Sequence, residues 1–254
     1  MNALTVALIQ ARMSSSRLPG KVLEPLKGVP LIVYMARRAA RARLLDQVLI
    51  VTSTDASDDT LVNAVQAAGL PVFRGDLNDV LRRYADAAAA CAASEIVRLT
   101  GDCPLIDPDV IDDVIRARRG AGAAYASNVA PPTFPDGLDV ECFTRATLER
   151  AHAEASSAPE REHVTLWMRR DDVDVTRVNH LGLVDASALR LTVDYADDLA
   201  LVRRLLERLP ADGRFDLFDI LRELSAEAPL RALNVHERNE GLAKSLAEDT
   251  KAPS

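Results

Sequence analysis

The sequence predicts an α/β fold built on a mostly parallel sheet, with helices on both faces and a small β excursion. Short apolar runs alternate with helical segments through the first half of the chain, a pattern typical of parallel βαβ units. The chain has 254 residues, 48% of them hydrophobic, which is enough to bury a substantial core. Polar, charged loops follow the apolar runs at 4–9 and 96–99, where open parallel sheets bind ligands.

The first half of the chain supplies the predicted parallel core. Strands are predicted at 4–9, 48–52, 72–73 and 96–99, and helices at 30–42, 58–68, 79–93 and 108–119. Pro30 suits the first turn of a helix, and Gly69 before Pro71 indicates a helix end followed by a new strand. Asp107 is a favourable residue to cap the helix that follows it.

The pattern changes at 128, where an excursion over 128–170 is predicted within a single domain, 1–246. The stretch 128–137 contains three prolines, and the next residues alternate as a half-exposed strand does. The predicted elements from here on are strands at 138–143, 173–178 and 188–193, and helices at 145–154, 161–168, 199–209 and 217–224. The polar residues 247–254 predict a frayed tail.

Composition excludes several classes of protein. The net charge of −7 argues against general binding of nucleic acid. Cys91, Cys103 and Cys142 form no CxxC pair, so neither disulfides nor structural zinc are expected, and a reducing cytoplasm fits. No window approaches the ~20 apolar residues of a membrane helix, so membrane insertion is not expected.

The loop after the first strand concentrates groups that bind phosphate. Its three cations, three hydroxyls and flexible glycine are Arg12, Arg17, Lys21, Ser14, Ser15, Ser16 and Gly20. Backbone amides, hydroxyls and cations in one turn can converge on phosphate oxygens. It is not a P-loop, because Ser15 replaces the first glycine and Val22 follows Lys21. A solvated basic turn is the alternative at this point.

Two carboxylates follow predicted strands and are candidate metal ligands. Asp102 follows the strand at 96–99, and Asp194 ends the alternating run at 188–193. Magnesium usually takes one or two protein carboxylates and completes its shell with water and substrate phosphates. A turn or capping role is the alternative for each. Asp197 and Asp198 are better explained as charges at a helix start.

Other polar residues are weaker candidates. Asp139 and Glu141 share one face of a strand and could contact an acceptor, although charges on an edge strand also oppose aggregation. His163 could orient an acceptor, act as a base or be purely structural. Cys103 beside Asp102 is expected to be a packing residue rather than a nucleophile.

Several motifs identify a family resemblance that spans nearly the whole chain. The segments 11–21, 100–106 and 191–199 resemble, in this order, motifs of the CMP-sugar synthetases, that is, the acylneuraminate and 3-deoxy-manno-octulosonate cytidylyltransferases. The spore coat polysaccharide biosynthesis branch is the most similar. Its further look-alike segments are 73–76, 79–84, 134–141, 160–165 and 234–241.

The resemblance implies a Rossmann-like, nucleotide-diphospho-sugar-transferase-like domain that uses CTP and Mg²⁺ to activate an acidic sugar, releasing pyrophosphate, for surface polysaccharide or glycan synthesis. It implies a homodimer paired through the excursion. By position, the nucleotide-binding residues are Ala11, Arg12, Ser14, Ser15, Ser16, Arg17, Lys21, Arg74, Gly75, Thr100 and Asp102. Arg12, Lys21 and Asp102 would be catalytic, Asp102 and Asp194 would hold the metal, and Asp139, Glu141, Glu162 and His163 would face the acceptor.

Alternatives to this function remain open. Many family members have Gln where this chain has Thr100, so the choice between CTP and UTP is open. A glycosyltransferase of the same broad fold would consume an activated sugar, but its usual Asp-x-Asp motif is absent around 100–103. A cytidylyltransferase with a non-sugar acceptor is also possible. A non-catalytic protein is disfavoured, because Arg12, Lys21, Asp102 and Asp194 are all present.

Overall fold

The computed structural model describes residues 4–226 and, beyond them, positions 234, 236, 238, 243, 247 and 249. Its strands are β1 (Leu4–Gln10), β2 (Pro25–Leu26), β3 (Val29–Pro30), β4 (Gln47–Ser53), β5 (Val72–Gly75), β6 (Ala93–Thr100), β7 (Tyr125–Ser127), β8 (Glu141–Thr144) and β9 (Arg177–Asn179). Its helices are α1 (Leu31–Ala39), α2 (Asp59–Ala67), α3 (Val80–Ala90), α4 (Pro108–Ala121), α5 (Arg145–Glu154), α6 (Ala158–Glu162), α7 (Ala196–Arg208) and α8 (Leu217–Ala226). Most of the predicted tail, 247–254, lies outside the described residues. Among the described helices, none has the length and apolar character needed to cross a membrane.

One seven-stranded sheet, in the order β5-β4-β1-β6-β8-β7-β9, positions the rest of the described chain. β1 runs parallel to β4 and β6, and β4 runs parallel to β5, which confirms the predicted βαβ units. β8 runs antiparallel to β6 and β7, so the β excursion joins the same sheet, and β7 pairs parallel to β9. β2 and β3 form a separate antiparallel hairpin.

The two faces of β1 are covered by different helices. Ala7 and Ile9 pack in an apolar cluster with residues of α1, α4, α7 and α8. Val6 and Leu8 pack in a second cluster with residues of α3 and α5. Alternate strand residues point to opposite faces, so a strand covered on both sides reads as a continuous apolar run. The prediction of helices on both faces of the sheet is confirmed.

Helix ends largely follow the predicted signals. The Asp107 side chain accepts a hydrogen bond from the Asp109 amide at the start of α4. Gly69, just after α2, has a φ of 74°, a left-handed conformation that glycine adopts without a Cβ clash. Pro30 differs slightly from expectation, since it is the N-cap residue of α1 and not part of its first turn.

The predicted single helix at 161–168 is wrong. α6 begins earlier, because Ser157 and Glu160 form a capping box. Shortly after α6, Val164 has a φ of 53°, which a right-handed helix cannot contain. A separate 3₁₀ turn then covers Trp167–Arg169.

The predicted strand at 188–193 is also wrong, because one isolated bridge, between Asp136 and Arg190, is its only strand-like pairing among the described residues. Its backbone instead joins two loops, since the Val193 amide donates to the Asp102 carbonyl (2.8 Å). β8 and β9 begin later than predicted, and β7 and the β2–β3 hairpin were missed.

The loops after β1 and β6 meet at the carboxyl edge of the sheet. The Gly101 amide donates to the Gln10 carbonyl (2.8 Å), and a Cβ at position 101 would lie 2.7 Å from that oxygen. Glycine alone permits this close approach. The contact brings Asp102 beside the loop that begins at Ala11.

Candidate active site

The carboxyl edge of the parallel strands opens into a cavity of about 490 Å³. The residues that line it include members of the predicted nucleotide, metal and acceptor groups. These are Ala11, Arg12, Ser15, Ser16, Arg17, Lys21, Thr100, Asp102, Asp139, Glu141, Glu162, His163 and Asp194. Ser14, Arg74 and Gly75, which were also predicted to bind nucleotide, do not line this cavity.

Arg74 is engaged by the protein backbone. Its guanidinium donates to the carbonyls of Ser53 (2.9 Å) and Asp55 (3.0 Å). A Cβ at Gly75 would lie 2.9 Å from Cγ of Arg83, so this glycine makes room for an arginine that does line the cavity. Nucleoside contacts of Arg74 and Gly75 stay a prediction.

Lys21 lies between two carboxylates. Its Nζ donates to Oδ2 of Asp102 (2.9 Å) and to Oδ1 of Asp194 (2.7 Å), so these oxygens are separated by no more than the sum of the two distances. Lys21 is the first residue of a 3₁₀ turn and follows Gly20, whose φ of 76° is left-handed. The Lys21 residue is 7% exposed. The structure thus brings the last cation of the loop and the two predicted metal ligands, Asp102 and Asp194, to one point.

The three charges of this group stabilise one another. Burial alone would lower the pKa of Lys21, but the negative charges of Asp102 and Asp194 outweigh burial and raise it. Burial alone would raise the pKa of each carboxyl group, but the positive charge of Lys21 outweighs burial and lowers both. All three groups are therefore charged at neutral pH.

Two arginines complete an ion-pair network around Asp194. Arg17 and Arg190 contact its Oδ2 at 2.7 Å and 2.8 Å. Arg190 also pairs with Asp136 (2.8 Å) and with Asp198 (3.1 Å). Asp198 in turn accepts from the Asp194 amide (2.8 Å), so this helix-start carboxylate fixes the turn that carries Asp194. We call Lys21, Asp102, Asp194, Arg17 and Arg190 the carboxylate cluster.

A second cluster of the cavity is centred on Glu141, which is 5% exposed. Its Oε1 accepts from the hydroxyls of Tyr125 (2.5 Å) and Thr165 (2.7 Å), and its Oε2 pairs with Nη1 of Arg98. Burial would raise the pKa of Glu141, but Arg98 and Arg169 lower it, so the carboxylate is charged. Both of its oxygens are occupied, and Glu141 therefore holds Arg98 in place.

Three buried side-chain nitrogens in the cavity wall have no hydrogen-bond partner in the part of the chain that the structure describes. They are Nε of Arg83, Nε2 of His163 and Nε of Arg169. Leaving a buried donor unpaired costs about 1–3 kcal/mol, and more for a charged group. Most buried polar groups in proteins have a partner. A ligand that supplied acceptor oxygens would satisfy these three groups.

Burial shifts two further cavity residues towards their neutral forms. The pKa of His163 is lowered by burial, and although Glu162 opposes this, the positive charge of Arg98 adds to it. Burial raises the pKa of Asp139 to about 7, an effect larger than the opposing ion pair with Arg238. A carboxylate with a pKa near 7 is suited to proton transfer at neutral pH.

Cys103 has the packing role that was predicted for it. The residue is 3% exposed, and burial raises the pKa of its thiol well above the usual value. Because a nucleophilic cysteine reacts as the thiolate, this protonated, enclosed thiol is unsuited to covalent catalysis.

Sequence reasoning missed five charged residues of the cavity: Arg83, Arg98, Asp136, Arg169 and Arg190. A signal was available for Arg98, because it is a cation inside the apolar run 96–99 and a buried charge requires a partner. Arg190 similarly lies between two leucines. The other three lie in polar or loop sequence, where a charge carries no such signal.

The carboxylate oxygens of Asp102 and Asp194 are suitable ligands for a hard divalent cation. Carboxylate oxygens suit Mg²⁺ or Mn²⁺, and Mg²⁺ commonly completes its shell with water and substrate phosphates. No group of three or more His, Cys, Asp or Glu side chains among the described residues could hold a metal by itself. A cation shared by both carboxylates would therefore take its remaining ligands from water or the nucleotide and would replace Lys21 between them.

A cationic loop facing paired carboxylates at the carboxyl edge of a parallel sheet is an arrangement suited to nucleotidyl transfer. Residues 6–205 match the family model described as "Cytidylyltransferase". Because that match covers most of the chain, the protein belongs to the cytidylyltransferase family. It is therefore a nucleotidyltransferase, as the sequence predicted.

Two relatives and one solved structure extend this comparison. The chain is 33% identical over 208 residues to the spore coat polysaccharide biosynthesis protein SpsF of Bacillus subtilis (strain 168), covering 79% of this chain and 85% of that one. It is 37% identical over 161 residues to the 3-deoxy-manno-octulosonate cytidylyltransferase of Anaeromyxobacter dehalogenans (strain 2CP-C), covering 61% and 64%. A cytidylyltransferase structure from Leptospira borgpetersenii serovar Hardjo-bovis is similar with a TM-score of 0.87 at 28% identity, covering 93% of this chain and 100% of that one. The predicted family resemblance is confirmed.

Proposed function

We propose that this protein transfers CMP from CTP to an acidic, sugar-like acceptor in a Mg²⁺-dependent reaction that releases pyrophosphate. The observation that carries the proposal is the position of Lys21, which ends the cationic loop and contacts both Asp102 and Asp194. The Lys21 amine thus connects the loop suited to bind a triphosphate with the two carboxylates suited to bind a metal. The name of one relative, a spore coat polysaccharide biosynthesis protein, supports a role in surface polysaccharide synthesis, and the name of the other supports cytidylyl transfer to an acidic sugar.

The triphosphate would bind along the loop. Arg12 is exposed, lines the cavity and has no ion-pair or hydrogen-bond partner among the described residues, so its planar guanidinium is available to two phosphate oxygens. Ser15 and Ser16 line the same wall. Lys21 would exchange its carboxylate contacts for phosphate oxygens, since the nucleotide brings equivalent negative charge.

The residues around the α-phosphate would act mainly by position and charge. An acceptor hydroxyl attacks the α-phosphorus in line, so that a new P–O bond forms while the bond to the β-phosphate oxygen breaks and pyrophosphate leaves. Asp139 is the lining carboxylate whose pKa, about 7, suits it to take the hydroxyl proton. Lys21 stabilises the negative charge that builds on the transferred and leaving groups. A divalent cation held by Asp102 and Asp194 would add to this charge neutralisation.

We also propose that the protein is a cytoplasmic homodimer. Leu181, Leu183 and Val184 are 54%, 92% and 50% exposed, which is an unusual run of apolar side chains on a surface. Phe134 of the predicted excursion lies against Gly182 in this segment, which places the apolar run beside the predicted dimer arm. Sedimentation analysis of wild type and Leu183→Asp tests the proposal, because a dimer through this surface should dissociate in the variant.

The activity is tested by a pyrophosphate-release screen. The four nucleoside triphosphates are each combined with a panel of acidic sugars and sugar phosphates, with and without Mg²⁺. We expect release with CTP, Mg²⁺ and an acidic acceptor, and less with UTP. Release that peaks with UTP would show that Thr100, where many relatives have Gln, changes the base preference. A chain that releases no pyrophosphate from any triphosphate would contradict the proposal.

A further inference from the structure

We infer that Arg98, His163 and Arg169, which lie outside the phosphate-binding loop in the sequence, form a seat for an anionic group of the acceptor, a carboxylate or a phosphate. We call these three residues the anion seat. The inference rests on the proposed function, because it names the part of the cavity that recognises the acceptor. It also assigns Glu141 to positioning Arg98 rather than to contact with the acceptor.

The first observation is the lack of acceptors for these donors. Nε of Arg169 and Nε2 of His163 are shielded from water and have no hydrogen-bond partner in the described part of the chain. The nearest carboxylate oxygen to Nε2 of His163 in that part of the chain is Oε2 of Glu162, at 3.8 Å, which is beyond hydrogen-bond distance. Both residues line the cavity. A binding site for a neutral ligand would not need an unpaired buried guanidinium, whereas an anion offers it several acceptor oxygens.

The second observation is that the nearest carboxylate is already in use. Glu141 accepts from Tyr125 and Thr165 through Oε1 and pairs with Arg98 through Oε2. It therefore has little capacity left to satisfy Arg169. This arrangement fixes the orientation of Arg98 while leaving the positive charge of the seat in excess.

The third observation is the convergence of positive charge on His163. Burial lowers the pKa of this residue, and so do Arg98, Arg169 and Arg12. Three guanidinium groups thus lie close enough to disfavour an imidazolium. The neutral ring then presents one N–H donor without adding a fourth positive charge. The partner that such a group of donors requires is an anion.

The position of the seat favours the acceptor over the nucleotide. His163 and Arg169 belong to the segment between α6 and β9, and Arg98 lies inside β6, whereas the loop of Arg12 and Lys21 follows β1. Both groups open into the same cavity, so one acceptor molecule could place a hydroxyl beside the loop and its acidic group in the seat. Recognition at a distance from the reacting bond is the usual way to position an acceptor.

The test is an NMR titration of the full chain, observing the arginine Nε–H resonances, with inorganic phosphate and with pyruvate as separate probes. The variants are Arg169→Gln, Arg169→Lys and Lys21→Gln, with Arg116→Gln as the control because Arg116 is an exposed arginine on α4. We expect a probe to shift the Arg98 and Arg169 resonances. Its affinity should fall about tenfold in Arg169→Gln, the loss of one charge-assisted hydrogen bond, and change little in Lys21→Gln and Arg116→Gln.

The probe that binds more tightly identifies the acceptor group as phosphate or carboxylate. Shifts confined to the loop, or equal affinity in wild type and Arg169→Gln, would overturn the seat. If Arg169→Gln fails to fold, the test uses Arg169→Lys and the wild-type resonances. A wild-type protein whose Arg98 and Arg169 resonances do not shift with either probe would by itself contradict the seat. Failure of CTP turnover with intact anion binding would instead count against the proposed function.

Discussion

The carboxylate cluster and the anion seat lie in one cavity but differ in how completely the protein itself pairs their polar groups. In the cluster, Lys21 contacts two carboxylates and Arg190 contacts three, so each of these cations is neutralised inside the protein. In the seat, Arg169 and His163 carry buried donors with no acceptor among the described residues. The cations of the cluster therefore have partners within the protein, whereas two residues of the seat keep nitrogens that a ligand could pair.

This difference has a consequence for how substrates would bind. At the cluster, a bound nucleotide and metal would replace existing ion pairs. Binding there would exchange one set of charge contacts for another, so we expect these charges to contribute mainly to the transition state. At the seat, an anion adds contacts without breaking any that the structure shows. We therefore expect changes in the cluster to alter turnover, and changes in the seat to alter acceptor affinity.

The largest effect is expected from the carboxylates of the cluster. Asp102→Asn and Asp194→Asn should each lower kcat roughly 10²- to 10³-fold, because each removes a carboxylate proposed to hold the divalent cation that stabilises charge at the reacting phosphate. Circular dichroism should show an intact fold. Asp113→Asn is the control, since Asp113 is 44% exposed on α4, and its kcat should be close to that of wild type. Unfolding of both variants would point to capping roles instead.

Replacing Lys21 tests whether a metal ion can take the place of the Lys21 amine between Asp102 and Asp194. Lys21→Met should lower kcat about 10²-fold, yet its melting temperature without nucleotide should rise more with added Mg²⁺ than that of wild type. The reason is that Asp102 and Asp194 lose their shared internal cation and become available to the metal. Lys27→Met, which removes an exposed lysine, is the control. A Lys21→Met melting temperature that does not respond to Mg²⁺ would contradict metal binding by Asp102 and Asp194.

Glu141→Gln tests the support of the seat. Removing the charge partner of a buried guanidinium typically costs about 3–5 kcal/mol, and we expect a free energy of unfolding lower by about 3 kcal/mol. Arg98 should also lose its fixed orientation, so the KM for the acceptor should rise more than kcat falls. Glu149→Gln, at an exposed pair on α5, should change neither quantity. A fall in kcat with unchanged KM would contradict a positioning role.

The smallest effect is expected from Asp139 and depends on pH. Burial raises the folded-state pKa to about 7 from an ordinary ~3.9, so the folded protein binds a proton that the unfolded chain releases. Stability should therefore decrease as pH rises from about 4 through 7. Asp139→Asn lacks this dependence, so the melting temperature of the variant should rise relative to that of wild type as pH increases from about 5 to about 8. Parallel curves would show that Asp139 has an ordinary pKa.

Sequence reasoning reached the parallel core and, except for Arg190, the cluster because both depend on local signals. Buried strands read as apolar runs, and polar residues directly after such runs fall on one sheet edge, as Asp102 does after β6. The seat was reached only in part, through His163. Arg169 follows the predicted helix 161–168 and ends a 3₁₀ turn, and its Nε has no hydrogen-bond partner among the described residues because of how distant residues pack. An unsatisfied group is a property of three-dimensional packing and leaves no mark in a sequence.

The most direct measurement follows the α-phosphorus of CTP. CTP labelled at that position is incubated with Mg²⁺, the acidic acceptors and either the wild-type protein or Lys21→Met. We expect the label to appear in an acceptor conjugate, with one unlabelled pyrophosphate released for each conjugate, and far more slowly with Lys21→Met. CTP that remains intact with every acceptor, or label transfer that is equally fast without Lys21, would contradict the account.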